Sequence, residues 1–109
     1  MRRVEKPWGY EIIWAETASY VGKILHINAK HRLSKQYHNI KEETLYVLSG
    51  TLCNYAESGE IQRFYPGEVF HVEPGQIHRF GALENDVEVV EVSTPHLDDV
   101  VRLEDDYTR

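Results

Sequence analysis

The sequence predicts an all-β domain, a sandwich or a closed antiparallel barrel, and three observations carry that prediction. Short runs of strand composition recur along the chain, turn residues punctuate them, and no segment sustains the 3.6-residue apolar period of a helix.

In chain order the strand-like runs are residues 10–14, 20–29, 45–48, 51–55, 61–65, 69–73, 77–80 and 87–93, each rich in β-branched or aromatic side chains. Ser49-Gly50, Glu57-Ser58-Gly59, Pro66-Gly67 and Pro74-Gly75 separate them, supplying residues that tolerate positive φ or fix a turn. Hairpins follow from that spacing. The one helical candidate is a short turn at 96–100, after Pro95. With no internal repeat, low-complexity stretch or linker, residues 1–109 read as one domain.

A chain of 109 residues can bury roughly two-thirds of its unfolded surface, enough for an independent core. Hydrophobic residues make up 41% and charged residues 28%, an ordinary globular balance without any apolar run long enough to span a membrane. The opening Met1-Arg2-Arg3-Val4-Glu5-Lys6 lacks the apolar stretch of a secretory signal, so a cytoplasmic location is expected. Cys53 stands alone, which excludes an internal disulfide and a zinc–thiolate site. The net charge of −6, with acid concentrated from Glu84 to Asp106, argues against nucleic acid, whose phosphates need clustered Lys and Arg. A small-molecule partner fits better, because a local basic pocket can hold an anion in an acidic chain.

Along a strand, side chains two apart share a face, so Gln36 and His38 can point together into an interior while Tyr37 points away. Glu43 lies five residues beyond His38, across a turn, and His78 follows the Pro74-Gly75 turn. Two imidazoles, a carboxylate and an amide oxygen suit zinc, manganese, iron, cobalt or nickel; without thiolate, copper(I) and iron–sulfur clusters do not fit.

The stretch Gln36-Tyr37-His38-Asn39-Ile40-Lys41-Glu42-Glu43, continuing to Gly50, resembles the first cupin motif, and Gly67 to His78 resembles the second. The resemblance implies a cupin jelly-roll barrel that holds one divalent metal ion, zinc first among the candidates, on Gln36, His38, Glu43 and His78. A narrower resemblance rests on Lys6-Pro7-Trp8-Gly9, Arg32-Leu33-Ser34 and the closing Val101-Arg102-Leu103-Glu104-Asp105-Asp106-Tyr107-Thr108-Arg109. These look like the cupin domain of type II mannose-6-phosphate isomerases, which implies a sugar-phosphate substrate. Where those isomerases commonly read His-His-His-Arg-x-Glu-His-Trp, this chain has Asn39, Ile40, Thr44 and Leu45 in place of two His residues, a third and the Trp. No glycine-rich nucleotide-binding segment is present, so guanylyltransferase activity is not implied.

An aldose–ketose isomerase polarises a carbonyl, moves a proton between adjacent carbons and grips a phosphate. The metal would do the first as a Lewis acid. His71 or Lys23 is the expected proton-transfer group, and Arg32, which matches a family active-site arginine, the expected phosphate ligand. His38, Glu43 and His78 alone also satisfy the two-His, one-carboxylate triad of non-haem iron oxygenases, and a non-catalytic sugar-binding cupin is a third reading. Trp8, Tyr10 and Trp14 can cover a sheet edge of a second copy in a homodimer, or pack on their own barrel.

Overall fold

The computed structural model describes residues 1–107; Thr108 and Arg109, the end of the carboxy-terminal motif, lie outside the described residues. Eleven strands are formed: β1 (Arg2–Lys6), β2 (Gly9–Glu16), β3 (Val21–Ile27), β4 (Lys35–Tyr37), β5 (Glu43–Ser49), β6 (Leu52–Tyr55), β7 (Ile61–Phe64), β8 (Val69–Val72), β9 (Phe80–Ala82), β10 (Val87–Ser93) and β11 (Val101–Glu104). Among the described residues there is no helix.

A six-stranded sheet runs in the order β1-β2-β3-β10-β5-β8, and a three-stranded sheet in the order β7-β6-β9. A two-stranded ribbon, β11-β4, joins the smaller sheet through bridges from Arg32 to Gly81 and from Gln36 to His78. All the strand pairs are antiparallel. The result is the jelly-roll barrel expected from the sequence motifs. Gly50 shows why the turn chemistry is specific: its φ is +75°, and a Cβ there would run into the carbonyl oxygen of Asp86.

Three strands, β1, β4 and β11, are absent from the runs read in the sequence. Each is polar or short and gains its pairing from a neighbour, β1 from β2 and β4 from β11. The run expected at 77–80 is instead a single bridge at His78, with the strand starting at Phe80. The 96–100 segment is a turn, held by the Asp99 N–H donating to His96 O at 3.2 Å.

Alternation along the strands divides the interior into two zones. On the inner face, β3 presents Val21, Lys23, Leu25 and Ile27, β5 presents Glu43, Leu45 and Val47, and β10 presents Val87, Val89, Glu91 and Ser93, all buried. Strand register sets Val89 opposite both Leu25 and Val47, and Glu91 opposite both Lys23 and Leu45. One end of the barrel is therefore apolar, its strand residues packed in one cluster with Trp8, Leu52, Phe80 and Ala82. The other end is charged.

The β4–β5 loop that carries the charged end is fixed by Asp99. Its carboxylate accepts backbone N–H groups from Asn39 (3.0 Å), Ile40 (2.7 Å) and Lys41 (2.8 Å). Bonds from Lys41, Ile40 and Asn39 hold the Asp99 carboxyl down to about 2, against an ordinary 3.8. A depressed carboxylate stabilises the fold above its unfolded value and loses that contribution as pH falls through the folded one. Replacing Asp99 with Asn should therefore lower Tm at neutral pH and shrink the loss of Tm between about pH 4 and pH 2. Thermal melts across that range check both; an unchanged acid limb would show that other groups carry it.

Candidate metal centre

Three side chains converge where the charged zone meets the small sheet. His38 follows β4, Glu43 opens β5 and His78 precedes β9; each is buried, with 3%, 3% and 1% exposure. Glu43 Oε1 lies 3.5 Å from His38 Nε2 and 3.4 Å from His78 Nε2. Neither Nε2 has a hydrogen-bond partner among the described residues.

The opposite ring nitrogens explain what those Nε2 atoms are. His38 Nδ1 sits 2.6 Å from the Asp99 carbonyl and His78 Nδ1 sits 3.0 Å from the Gln76 carbonyl. A carbonyl only accepts, so each Nδ1 must carry the proton, and in a neutral ring Nε2 is left with a bare lone pair. Two lone pairs and a carboxylate oxygen thus face one another in a buried space, which is unfavourable unless a cation lies among them. Imidazoles fixed through Nδ1 by backbone carbonyls are the arrangement that presents Nε2 to a divalent metal. The donor set fits that group.

Gln36, the fourth expected ligand, lines the same cavity. Its backbone exchanges hydrogen bonds with His78, N–H to O at 3.0 and 2.9 Å, which locks the two elements together. Its Oε1 accepts from the Ser34 hydroxyl at 3.4 Å. Tyr37 is not among the cavity-lining residues, as the period-two reading requires.

Around the triad stands a set of buried charges. Lys41 Nζ is 2.9 Å from Glu43 Oε2 and 3.1 Å from Glu91 Oε2, and both Lys41 and Glu91 are buried. Burial pushes the Glu43 carboxyl up, whereas the charge of the Lys41 ammonium beside it draws it down. Burial and the neighbouring Glu43 charge push Glu91 up to about 7, against the pull of Lys41 and Lys23. Lys41 is stripped of water by burial, yet Glu91 and Glu43 more than compensate and keep it an ammonium ion.

The cavity measures about 270 Å³ and is lined by the triad's His38 and Glu43, by Gln36, Lys41 and Glu91, and at its mouth by Arg102. Of the three residues expected to do chemistry, the structure brings only Lys23 there. Its ammonium lies 3.4 Å from each oxygen of Glu11, both side chains buried. Arg32 instead faces the carboxy-terminal segment. Its Nε and one terminal nitrogen bind Asp106 at 2.6 and 3.0 Å, and its guanidinium lies 5.2 Å from the Tyr55 ring centre.

His71 lies on the outer face of the large sheet, not in the interior, because Phe70 and Val72 take the inward positions of β8. Its Nε2 is 2.8 Å from Glu42 and 3.1 Å from Glu73, and its Nδ1 meets the Thr44 hydroxyl at 2.7 Å. The residues that sequence reasoning missed are Lys41, Glu91 and Glu11. For Glu91 a signal existed: in Val87-Glu88-Val89-Val90-Glu91, it shares a face with two core valines.

Comparison with known proteins places this geometry in a family. Residues 1–105 match the model of the mannose-6-phosphate isomerase C-terminal family. No curated protein sequence matches the chain. Among solved structures, the fold is similar to KdgF from a Halomonas species, at 23% identity over 87% of this chain and 88% of that one, with a TM-score of 0.76. A cupin-like protein from Thermotoga maritima superposes with a TM-score of 0.77 at 16% identity, covering 88% of this chain and 76% of its own. A cupin-superfamily sugar phosphate isomerase from Silicibacter pomeroyi gives 0.70 at 15% identity, covering 78% and 58%. With a family match over nearly its whole length, a helix-free jelly-roll barrel and a buried His–Glu–His cluster inside it, the chain belongs to the mannose-6-phosphate isomerase C-terminal family of cupins.

Proposed function

We propose that this chain is a metal-dependent aldose–ketose isomerase acting on a small sugar phosphate, with His38, Glu43 and His78, joined by Gln36, holding one divalent ion. The observation that carries the reading is the pair of buried, unpartnered Nε2 atoms aimed at a single carboxylate oxygen on the wall of a cavity of small-molecule size. When bound, the metal supplies Lewis-acid polarisation of the substrate carbonyl.

The remaining tasks fall to this chain's own groups. An enediol route removes a proton from the carbon beside the carbonyl and returns it to the former carbonyl carbon. Lys23, held against Glu11 inside the cavity, is the proton-transfer group in this reading: its ammonium gives up a proton to the former carbonyl carbon, and the Glu11 carboxylate beside it accepts the one removed. The phosphate is assigned to Arg102, on β11 directly opposite Gln36. Arg102 lines the cavity mouth and makes no side-chain ion pair among the described residues, whereas Arg32 is committed to Asp106. The triple Nε2–Nε2–carboxylate arrangement also serves iron-dependent oxygen chemistry, which the experiments below separate.

The purified chain should carry about one equivalent of divalent metal, and His38→Ala or His78→Ala should remove it, because Ala cannot replace a first coordination bond. Glu43→Gln should weaken binding less than either change, since an amide oxygen still coordinates. Elemental analysis of the three variants decides; full metal in both Ala variants would sink the assignment.

Activity on a sugar phosphate should persist without dioxygen and should exchange a carbon-bound substrate hydrogen with solvent deuterium, observable by NMR. Strict dioxygen consumption would favour the iron reading.

Arg102→Ala should lower kcat/KM on the phosphorylated substrate by roughly ten- to a hundredfold, the equivalent of about 1.5–3 kcal/mol for a hydrogen bond to a charged group. The defect should nearly vanish on the unphosphorylated sugar. Arg32→Ala, by contrast, should lower Tm and leave the phosphate preference intact; the reverse pattern would return the phosphate grip to Arg32.

A further inference from the structure

The Glu43 carboxylate is shared between two neighbours, one oxygen each. Oε1 faces the two bare imidazole nitrogens at 3.4 and 3.5 Å, and Oε2 is held by Lys41 Nζ at 2.9 Å. Lys41 is itself gripped on two further sides. Its ammonium lies 3.1 Å from Glu91 Oε2, and its backbone N–H donates to Asp99 Oδ2 at 2.8 Å. Its side chain is as buried as those it binds, so it cannot swing into water when another cation arrives.

We propose that Lys41 is a positioning residue that keeps Oε2 of Glu43 off the metal, so that Glu43 coordinates through Oε1 alone and a coordination position stays open for a substrate oxygen. This rests on the metal reading above. A carboxylate without such a partner is free to bind a divalent ion through both oxygens, which fills the site with protein ligands. A buried ammonium at Oε2 opposes that in two ways: it occupies the lone pairs, and its positive charge resists closer approach of a second cation. Catalytic metal sites depend on a position left open. Glu91 belongs to the same device, because without its carboxylate across the ammonium Lys41 would be drawn fully onto Glu43. This role is not legible in the sequence, since Lys41 lies in a loop with no alternation to read, and its backbone is held by Asp99, far along the chain.

Cobalt(II) alone, added to the metal-stripped full-length chain, tests the idea, since its visible absorption weakens as the coordination number rises. Wild type and Lys41→Arg should give an intense, low-coordinate spectrum. Lys41→Met should give a weaker, higher-coordinate spectrum and bind cobalt at least about tenfold more tightly in competition with a chelating dye, because a competing charge has gone. A merely supporting role for Lys41 predicts the opposite sign, weaker binding. A Lys41→Met spectrum identical to wild type overturns the proposal whatever the affinity does. Failure of wild type to take up cobalt at all would overturn the metal reading itself. If Lys41→Met does not fold, Lys41→Gln and X-ray absorption of the zinc-loaded wild type replace it: one carboxylate oxygen near the zinc distance of about 2.0–2.2 Å supports the proposal, and two overturn it.

Discussion

Three carboxylates, Glu11, Glu43 and Glu91, point into a barrel whose remaining interior is an apolar cluster, and neutralising them organises everything around the site. An isolated buried carboxylate is far too costly to keep, so each needs a cation within bonding reach. Glu11 takes Lys23, Glu91 takes Lys41, and Glu43 takes Lys41 on one oxygen while its other oxygen faces the two bare imidazole nitrogens. Breaking one such buried pair typically costs about 3–5 kcal/mol, comparable to truncating a large core side chain. Losing a partner in the charged zone is therefore about as damaging as losing a side chain in the apolar zone.

The neutralising groups reach the interior by two routes that differ in how visible they are in a sequence. Lys23 and Glu91 lie on regular strands, opposite each other in register, and strict alternation from Leu25 and Val89 places both inside. Lys41 and His38 lie beside a loop, and their direction is set by Asp99, some sixty residues away, through three backbone N–H bonds and one imidazole bond. Long-range loop anchoring of that kind leaves no local period to read. The same holds for β4 and β11, which form a strand pair only because each supplies the other's hydrogen bonds.

What was legible follows the same division. The turn residues, the all-β class and the jelly roll come from local chemistry and motif spacing, and the buried His38, Glu43 and His78 follow from the motifs. Two of the chemical candidates lie outside the cavity. Residue type alone points to His71, whereas parity with the buried Val72, which faces Glu43 across β8 and β5, sets it on the outer face beside Thr44. Arg32, expected from its match to a family active-site arginine, is turned toward Tyr55 and Asp106 by a bridge to Gly81.

That displacement of Arg32 bears on how the cavity mouth is built. Arg32 and Arg79 both bind Asp106, and Arg79 also holds Glu104 at 3.2 Å and the Leu33 carbonyl at 3.0 Å. Burial leaves Arg79 with no water to fall back on, so the segment after β11 is drawn firmly onto the barrel. Arg102, two residues before Glu104, is carried by that clamp to the rim opposite Gln36. An arginine that serves as an anchor and an arginine without an ion pair among the described residues are thus two parts of one arrangement. The permanent charge of the first fixes the strand that positions the second, which is why a cation near the ligand strand in sequence need not be the one that faces the cavity.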